Sequence, residues 1–296
     1  MKKSWLGGIL LILAAAIWGS AFVAQRNGMD YSGPLTFNAT RCCIGALILL
    51  PVAGFLKTGR QTERRSTLRG GIFCGLALFF ATNLQQLGLV DTGAGKAGFI
   101  TTFYIVLVPV LGTLRGRRCG NQVWISVALA LTGLYFLCMK RGESVHLQTG
   151  DLLLLICALF YAIQIMVVDH FVENANGVML SCIQFAVCGV LSMATAFLFE
   201  TPDFKTLFHG WIPLLYTGIL SCGVAYTLQI IGQRYLQSSV ASLFMSLESA
   251  FAVLSGWLIL NENLSGRELL GCALVFSAVI LVQLWPEKKA KRRSIL

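Results

Sequence analysis

Ten long apolar stretches account for most of this chain, and they limit the folds that it can adopt. Each stretch is 19 to 25 residues long, and charged residues, glycine or proline separate it from the next. An α-helix needs about 20 apolar residues to cross the hydrocarbon core of a bilayer. The sequence therefore predicts an all-α integral membrane protein with ten transmembrane helices, which we number as spans 1 to 10. Their expected limits are 5–24, 34–56, 69–90, 95–114, 121–139, 150–168, 177–199, 209–233, 238–260 and 267–285.

The composition agrees with a membrane protein. Only 12% of the 296 residues are charged and 56% are hydrophobic, whereas an ordinary soluble domain carries about 25% charged residues. The net charge of +10 comes from bases in short loops and near the C-terminus, and no nucleic-acid-binding motif accompanies them. We therefore expect the lipid bilayer as a partner, and no nucleic acid. The sequence leaves the oligomeric state open.

Motifs for metal binding and catalysis are absent from the sequence. Nine of the ten cysteines lie inside apolar stretches, and there is no CxxC pair or His/Cys cluster with zinc spacing. Such cysteines are expected to behave as small buried apolar residues. The P-loop, HExxH, GxSxG and paired-aspartate metal patterns are also missing. We expect no cofactor, no metal site and no enzymatic activity.

The positions of lysine and arginine predict the orientation in the membrane, because cytoplasmic loops carry an excess of these residues. With a cytoplasmic N-terminus, sixteen bases fall on the cytoplasmic side and six on the other side. We therefore expect a multi-pass protein of the plasma membrane. Both termini, including the basic tail 286–296, are expected in the cytoplasm.

A shift of the chain by 144 residues reveals an internal repeat. The shift lays "ATNLQQLG" at 81–88 on "AYTLQIIG" at 225–232, and it also lays span 4 on span 9. In that alignment Tyr104 corresponds to Glu248 and both lie within apolar segments. The sequence thus predicts two halves of similar structure.

Each half contains five spans, an odd number, so the second half must enter the membrane with the opposite orientation. We expect residues 1–142 and 143–285 to form two inverted five-helix repeats, with Gln85 and Gln229 in equivalent places. Transporters use this architecture, and they bind the substrate near the membrane midplane between the repeats. The repeat therefore favours a transporter over an enzyme or a receptor.

Four stretches stand in order along the chain: "IWGSAFV" at 17–23, "PLTFNATR" at 34–41, "TGAGKAGFITTFYIVLVPVLG" at 92–112 and "SLESAFAVLSGWLILNENLSGRELLGCAL" at 246–274. Together they resemble the EamA-type ten-helix carriers of the drug/metabolite transporter superfamily. The resemblance implies a secondary carrier that moves small metabolites, amino acids or drugs, commonly outward, through a central cavity.

The chain departs from the family pattern at two positions. Ser249 stands where the family often has proline, and Asn261 stands where glycine often precedes Glu262. With serine in place of proline, a helix break beside Glu248 is not expected.

Glu248 is the one acidic residue far from a span end. The other twelve Asp and Glu residues lie in loops or at helix termini. An intramembrane charge costs about 2.5–3.5 kcal/mol even on the lenient insertion scale, so such a residue usually faces a cavity or a partner. One interpretation is that Glu248 binds a cationic group or takes up a proton. The other is that it stays protonated and hydrogen-bonded to a neighbouring helix, and the sequence allows both.

Two bases lie in or beside the spans. Arg41, inside span 2, either holds a substrate carboxylate in bidentate fashion, or caps helix carbonyls or pairs with an acid near the outer surface. Lys96, at the start of span 4, is expected to extend its ammonium to the membrane interface.

Eight further residues with amide, phenol or indole groups are candidates to line a polar cavity. Helix-to-helix hydrogen bonds, or apolar packing for the indole, are the alternative for each of them. They are Trp18, Asn83, Gln86, Tyr104, Tyr161, Gln164, Tyr226 and Gln229.

Taken together, these features predict a secondary transporter that exports a small organic metabolite, amino acid or drug by alternating access. The driving force would be the solute's own gradient or protons. An intramembrane enzyme acting on lipid is one alternative, and it would require two or more catalytic polar groups that converge. A sensor or a channel without carrier activity is the other.

Overall fold

The fold is helical throughout the part of the chain that the computed structural model describes. This part comprises residues 2–55, 61–92, 94–117, 119–139, 148–260 and 265–285. Within it, nine helical segments are long and apolar enough to cross a membrane, and the shorter apolar helix Asn121–Leu137 supplies the remaining span. The prediction of ten transmembrane helices is confirmed.

The helices follow the expected spans closely. Span 3 differs most, because its helix begins at Gln61, well before the apolar stretch at 69–90. An apolar stretch marks only the part of a helix within the hydrocarbon, and the helix continues into the polar interface. The helices are α1 (Lys2–Met29), α2 (Pro34–Phe55), α3 (Gln61–Asp91), α4 (Ala94–Thr101), α5 (Tyr104–Leu114), α6 (Asn121–Cys138), α7 (Thr149–Phe171), α8 (Gly177–Phe199), α9 (Phe204–His209), α10 (Trp211–Leu215), α11 (Tyr226–Gln233), α12 (Ser238–Met245), α13 (Leu247–Leu260) and α14 (Gly266–Leu284).

Three spans consist of more than one helical segment. Span 4 contains α4 and α5, and span 9 contains α12 and α13. Span 8 runs from α10 through a ten-residue π-helical segment, Tyr216–Ala225, into α11. Irregular helical geometry of this kind is often found at functional sites.

The two halves pack against each other through equivalent pairs of spans. Span 2 packs along span 7, and span 5 packs along span 10. Span 3 packs along span 6, while span 8 packs along span 1. Span 3 is equivalent to span 8, and span 6 is equivalent to span 1. The contact between spans 3 and 6 is therefore equivalent to the contact between spans 8 and 1. The architecture is therefore two inverted five-helix repeats, as the sequence predicts.

Small residues allow the closest of these contacts. A Cβ atom added to Gly133 in α6 would lie 2.8 Å from the carbonyl oxygen of Gly271 in α14, and one added to Gly271 would lie 2.7 Å from the carbonyl oxygen of Gly133. No side chain fits at such distances. Membrane helices associate through close packing of this kind, because lipid tails are as apolar as the helix surfaces.

Both ends of the described chain lie on one face of the bundle. Ser4 in α1 accepts a hydrogen bond from Gln283 in α14 at 3.4 Å. We call this side the N-terminal face and the other side the opposite face. Arg117 forms an ion pair with Asp169 at the N-terminal face, where spans 4 and 6 end.

Lys96, which is expected at the membrane interface, forms an ion pair there. Its ammonium lies 2.5 Å from a carboxylate oxygen of Asp151 at the opposite face, where spans 4 and 6 begin. Asp151 also accepts a hydrogen bond from the backbone nitrogen of Gln148 and thereby caps α7. The ion pair was not predicted, because the acid is distant in sequence and only the packing of span 4 on span 6 brings it close.

A helix interruption lies next to Glu248, which corrects the expectation drawn from Ser249. The regular α-helix stops at Ser246 in span 9, and it stops at Thr102 and Phe103 in span 4. Thr102 and Ser246 are 144 residues apart and hence equivalent. The hydroxyl of Thr102 donates to the carbonyl of Gly98, and that of Ser246 donates to the carbonyl of Leu243. Hydroxyls that bond to the preceding turn can bend a helix without proline.

Candidate functional site

A polar cavity lies between the two halves of the protein. The centres of water-sized molecules can occupy about 50 Å³ of it. One water needs roughly 10–15 Å³ by this measure, so there is room for about three to five waters. Seven of the ten spans contribute to the walls. The lining residues are Trp18, Phe22 and Gln25 of span 1, Arg41 of span 2, Gln85 of span 3, Thr101 and Tyr104 of span 4, Tyr161, Gln164 and Ile165 of span 6, Ser221, Tyr226 and Gln229 of span 8, and Met245 and Glu248 of span 9.

Glu248 lies in the wall of this cavity and is only 7% exposed. The hydroxyl of Tyr104 donates to its Oε1 atom at 3.1 Å. Among the described residues, no Lys, Arg or His lies within salt-bridge distance of the carboxylate. Gly19 brings α1 against α13 here, since a Cβ atom at Gly19 would lie 2.6 Å from the carbonyl oxygen of Glu248. The carboxyl group therefore has a neutral donor and faces a space that can hold a ligand.

Arg41 also lines the cavity and is 4% exposed. Its Nε atom donates to the side-chain oxygen of Asn38, one turn earlier, at 3.0 Å. Asn38 is held in turn by a hydrogen bond to Thr82 at 3.0 Å. The described part of the chain offers Arg41 neither an ion pair nor a helix carbonyl. The structure therefore places Arg41 in the cavity wall without the acid or the carbonyls that the sequence-based alternative required.

Aromatic side chains form one side of the cavity. Trp18 packs edge-on against Tyr226, with ring centroids 4.7 Å apart, and Tyr226 also contacts Phe185 at 5.1 Å. Tyr161 lies 6.4 Å from Tyr104. Rings fixed by such contacts provide rigid walls and place their polar groups at defined positions.

Four buried glutamines lie at the end of the cavity nearest the N-terminal face, and we call them the glutamine cluster: Gln164, Gln184, Gln229 and Gln233. Gln229 donates to Gln164 at 3.0 Å and to Gln233 at 3.2 Å. Gln164 donates to Gln184 at 3.3 Å, and Gln233 donates to the carbonyl of Ile165 at 3.1 Å. The cluster links α7, α8 and α11. These hydrogen bonds join three helices at this end of the cavity.

Several polar atoms in the cavity wall lack a hydrogen-bond partner within the described structure. They are Trp18 Nε1, Gln25 Oε1, Thr101 Oγ1 and Gln229 Oε1. Buried polar groups are nearly always paired, so each exception needs an explanation. All four belong to residues that line one cavity, although the atoms themselves are buried in its wall.

Two of the candidate residues lie outside the cavity. Asn83 donates to Ser192 at 2.7 Å and accepts from Asn38 at 3.1 Å, so it connects α3 with α8 and α2. Gln86 is fully buried, and neither of its side-chain polar atoms has a partner among the described residues. The other six candidates, together with Glu248 and Arg41, are among the lining residues.

Sequence reasoning missed some lining residues that it had the means to find. Gln85 lines the cavity, and the 144-residue shift already paired it with Gln229. Phe22 and Gln25 follow Trp18 by four and seven residues and therefore share its helix face. The remaining missed residues, Thr101, Ile165, Ser221 and Met245, carry no comparable signal in the sequence.

Comparison with known proteins identifies the family. The model of the "EamA-like transporter family" matches residues 5–139 and, a second time, residues 148–284. This chain belongs to the EamA-like transporter family. It is accordingly a multi-pass membrane protein that transports small molecules across a lipid bilayer.

Several curated relatives are similar to this EamA-like transporter over most of its length. An "Uncharacterized transporter" of Archaeoglobus fulgidus is 35% identical over 275 residues, which cover 93% of this chain and 84% of the relative. The "Threonine/homoserine exporter RhtA" of Escherichia coli strain K12 is 28% identical over 302 residues, which cover 98% and 96% of the two chains. A solved crystal structure aligns with a TM-score of 0.79 and 18% identity over 94% of this chain and 96% of that chain. At that identity the solved structure supports the fold alone.

Proposed function

We propose that this EamA-like transporter is a secondary carrier that exports a small polar organic solute by alternating access. The observation that carries the proposal is the position of Glu248 in the wall of the cavity between the inverted repeats. The neutral hydroxyl of Tyr104 donates a hydrogen bond to the carboxyl group of Glu248. A carboxyl group in this setting can bind a cationic group of the solute or exchange a proton with it.

The proposed orientation places the N-terminal face in the cytoplasm of the cell and the protein in the plasma membrane. The glutamine cluster then separates the cavity from the cytoplasm. In the proposed cycle, these amides part to admit the solute and close again before the solute leaves at the opposite face. Neutral amide hydrogen bonds suit this role, since each has a modest net worth of about 0.6 kcal/mol between membrane helices.

The relatives named as threonine/homoserine exporters make amino acids the first solutes to test. Proton coupling is part of the proposal, because Glu248 is the one carboxyl group that lines the cavity among the described residues. A proton that enters as the solute leaves would drive net export.

Exchange in proteoliposomes tests the proposed function. Vesicles containing purified protein are loaded with unlabelled L-threonine or L-homoserine and diluted into a trace of the labelled compound. A carrier accumulates label transiently by counterflow, and the rate saturates with concentration. A flux that neither saturates nor shows counterflow would contradict the proposal and favour a channel. Hydrolysis of membrane lipid by the same vesicles would favour an intramembrane enzyme.

A further inference from the structure

We infer that Arg41 anchors a carboxylate group of the transported solute, so that the solute carries a carboxylate together with an amino group. The inference rests on the proposed function, since it concerns the same cavity. It assigns Arg41 as the residue that determines selectivity for the anionic group.

The geometry of Arg41 leaves its terminal nitrogens available. The guanidinium is buried in the cavity wall, and its Nε atom is fixed by Asn38. Neither Nη atom donates to a side chain or a backbone oxygen of the described residues. Asn38 is itself held by Thr82 and Asn83, so the guanidinium has a fixed support. The guanidinium is thus fixed in position while its N–H donors at the Nη atoms have no acceptor among the described residues. Coplanar donors of this kind can bind a carboxylate in bidentate fashion.

The membrane environment makes an unpaired guanidinium costly. Arginine stays protonated in proteins, so it cannot avoid the cost by losing its charge. Ionisable groups at this depth therefore mark substrate pathways or pair with a partner. Because the described residues offer Arg41 no acid, an anionic group of the solute is the partner that fits.

Glu248 supplies the opposite charge in the same cavity. Arg41 belongs to span 2 and Glu248 to span 9, and the two do not form an ion pair. A solute with one carboxylate and one ammonium group can therefore lie between them and satisfy both.

The anionic subsite exists in only one of the two repeats. Helix α2 begins at Pro34 and α8 begins 143 residues later at Gly177, so Arg41 corresponds to Gln184. Gln184 is neutral and belongs to the glutamine cluster. A single base at one of two equivalent positions gives the solute one preferred orientation, with its carboxylate toward span 2.

Matched compounds and matched variants test the role of Arg41. The probes are L-threonine, L-homoserine and the other common amino acids, each beside its amide and its amino alcohol, which lack the carboxylate. Binding is measured by thermal shift on detergent-purified protein, and counterflow is measured in proteoliposomes. The variants are Arg41→Gln and Arg41→Lys. Arg26→Gln, at an exposed position near the end of α1, is the control.

We expect at least one amino acid to bind the parent protein and the Arg26→Gln control far more tightly than its amide does. Arg41→Gln should weaken the binding of that amino acid about 10- to 100-fold, the range for a hydrogen bond to a charged group. Binding of the amide should stay unchanged, so the selectivity disappears. Arg41→Lys should fall between, because lysine keeps the charge but loses the planar fork. Melting temperatures without solute show whether each variant is folded.

Other results would overturn the assignment. Equal binding of the acids and the amides by the parent would do so, as would an equal loss of both in the Arg41 variants. Competition by inorganic phosphate but not by acetate would point to a phosphate group instead. Saturable exchange at the same rate for an amino acid and its amide would still support the carrier function and would contradict only the role of Arg41. Absence of exchange for every compound would contradict the proposed function, while the binding data would still decide the role of Arg41.

Discussion

Gln229 of α11 donates a hydrogen bond of 3.0 Å to Gln164 of α7 and thereby joins spans 8 and 6 beneath the cavity. Both residues are buried, and both belong to the glutamine cluster. Gln86 provides a contrast within the same protein, because it is also fully buried but neither side-chain polar atom has a partner in the described structure. Buried glutamines in this protein therefore occur both with and without hydrogen-bond partners.

Replacement of Gln229 and replacement of Gln86 should have different effects on stability. Gln229→Leu should lower the free energy of unfolding by about 1–3 kcal/mol, because it leaves Gln164 and Gln233 without a buried donor. Gln86→Leu should leave stability unchanged or raise it, since the amide that it removes is unsatisfied. Melting curves in detergent measure both changes. A larger loss for Gln86→Leu than for Gln229→Leu would contradict the hydrogen-bond assignments.

Replacement of Glu248 should separate its two interpretations. Glu248→Gln keeps the shape and the hydrogen-bonding capacity but cannot ionise, so we expect normal expression and melting together with loss of pH-dependent transport. Tyr104→Phe removes the donor to Glu248 and should shift the pH at which transport is half-maximal. Transport is followed in proteoliposomes across a pH series.

A purely structural Glu248 would give a different pattern. Glu248→Gln would then be tolerated in every assay, and Glu248→Leu would lower the melting temperature by leaving the Tyr104 hydroxyl unpaired. Unchanged transport of Glu248→Gln at every pH would end the coupling hypothesis.

Cysteine labelling tests the proposed orientation. In a background without the native cysteines, Arg64→Cys and Glu287→Cys should react only with reagent from the cytoplasm, whereas Arg26→Cys should react from outside in intact cells. Membrane-impermeant maleimide followed by mass-tag gel shift gives the readout. Labelling of Arg64→Cys from outside would reverse the assignment of the two faces.

The Asp151 carboxylate should stabilise the protein through two contacts. It caps α7 and pairs with Lys96 of span 4, so Asp151→Ala should lower the free energy of unfolding by about 1–3 kcal/mol. Asp203→Ala is the matched control, because Asp203 also caps a helix, α9, but is exposed. Thermal unfolding should show the smaller effect for Asp203→Ala. Equal effects would mean that the contact with Lys96 adds nothing.

The sequence predicts the spans of this protein better than it predicts the residues of the cavity. Apolar length fixes which segments cross the membrane, and the 144-residue repeat fixes how the halves relate. Neither gives the rotation of each helix about its axis. Asn83 and Gln86 share a face of α3 that packs away from the cavity, while the adjacent Gln85 faces it. The Lys96–Asp151 pair and the interruption at Ser246 were missed for a similar reason, since both depend on contacts with other turns or helices.

The hydrogen bond between Tyr104 and Glu248 has a consequence for the motion of the two repeats. The residues are 144 positions apart and therefore equivalent, so each is the counterpart of the other. In the proposed cycle each repeat adopts the conformation of the other repeat. A contact between two non-equivalent residues would then break, and the contact between their two equivalents would form elsewhere in the bundle. A contact between two residues that are equivalent to each other involves the same two residues before and after the exchange. In the proposed alternating-access cycle, the Tyr104–Glu248 bond, with an interrupted helix beside each residue, would thus lie on the axis of the motion. Glu248 would keep its donor whichever side of the membrane the cavity faces.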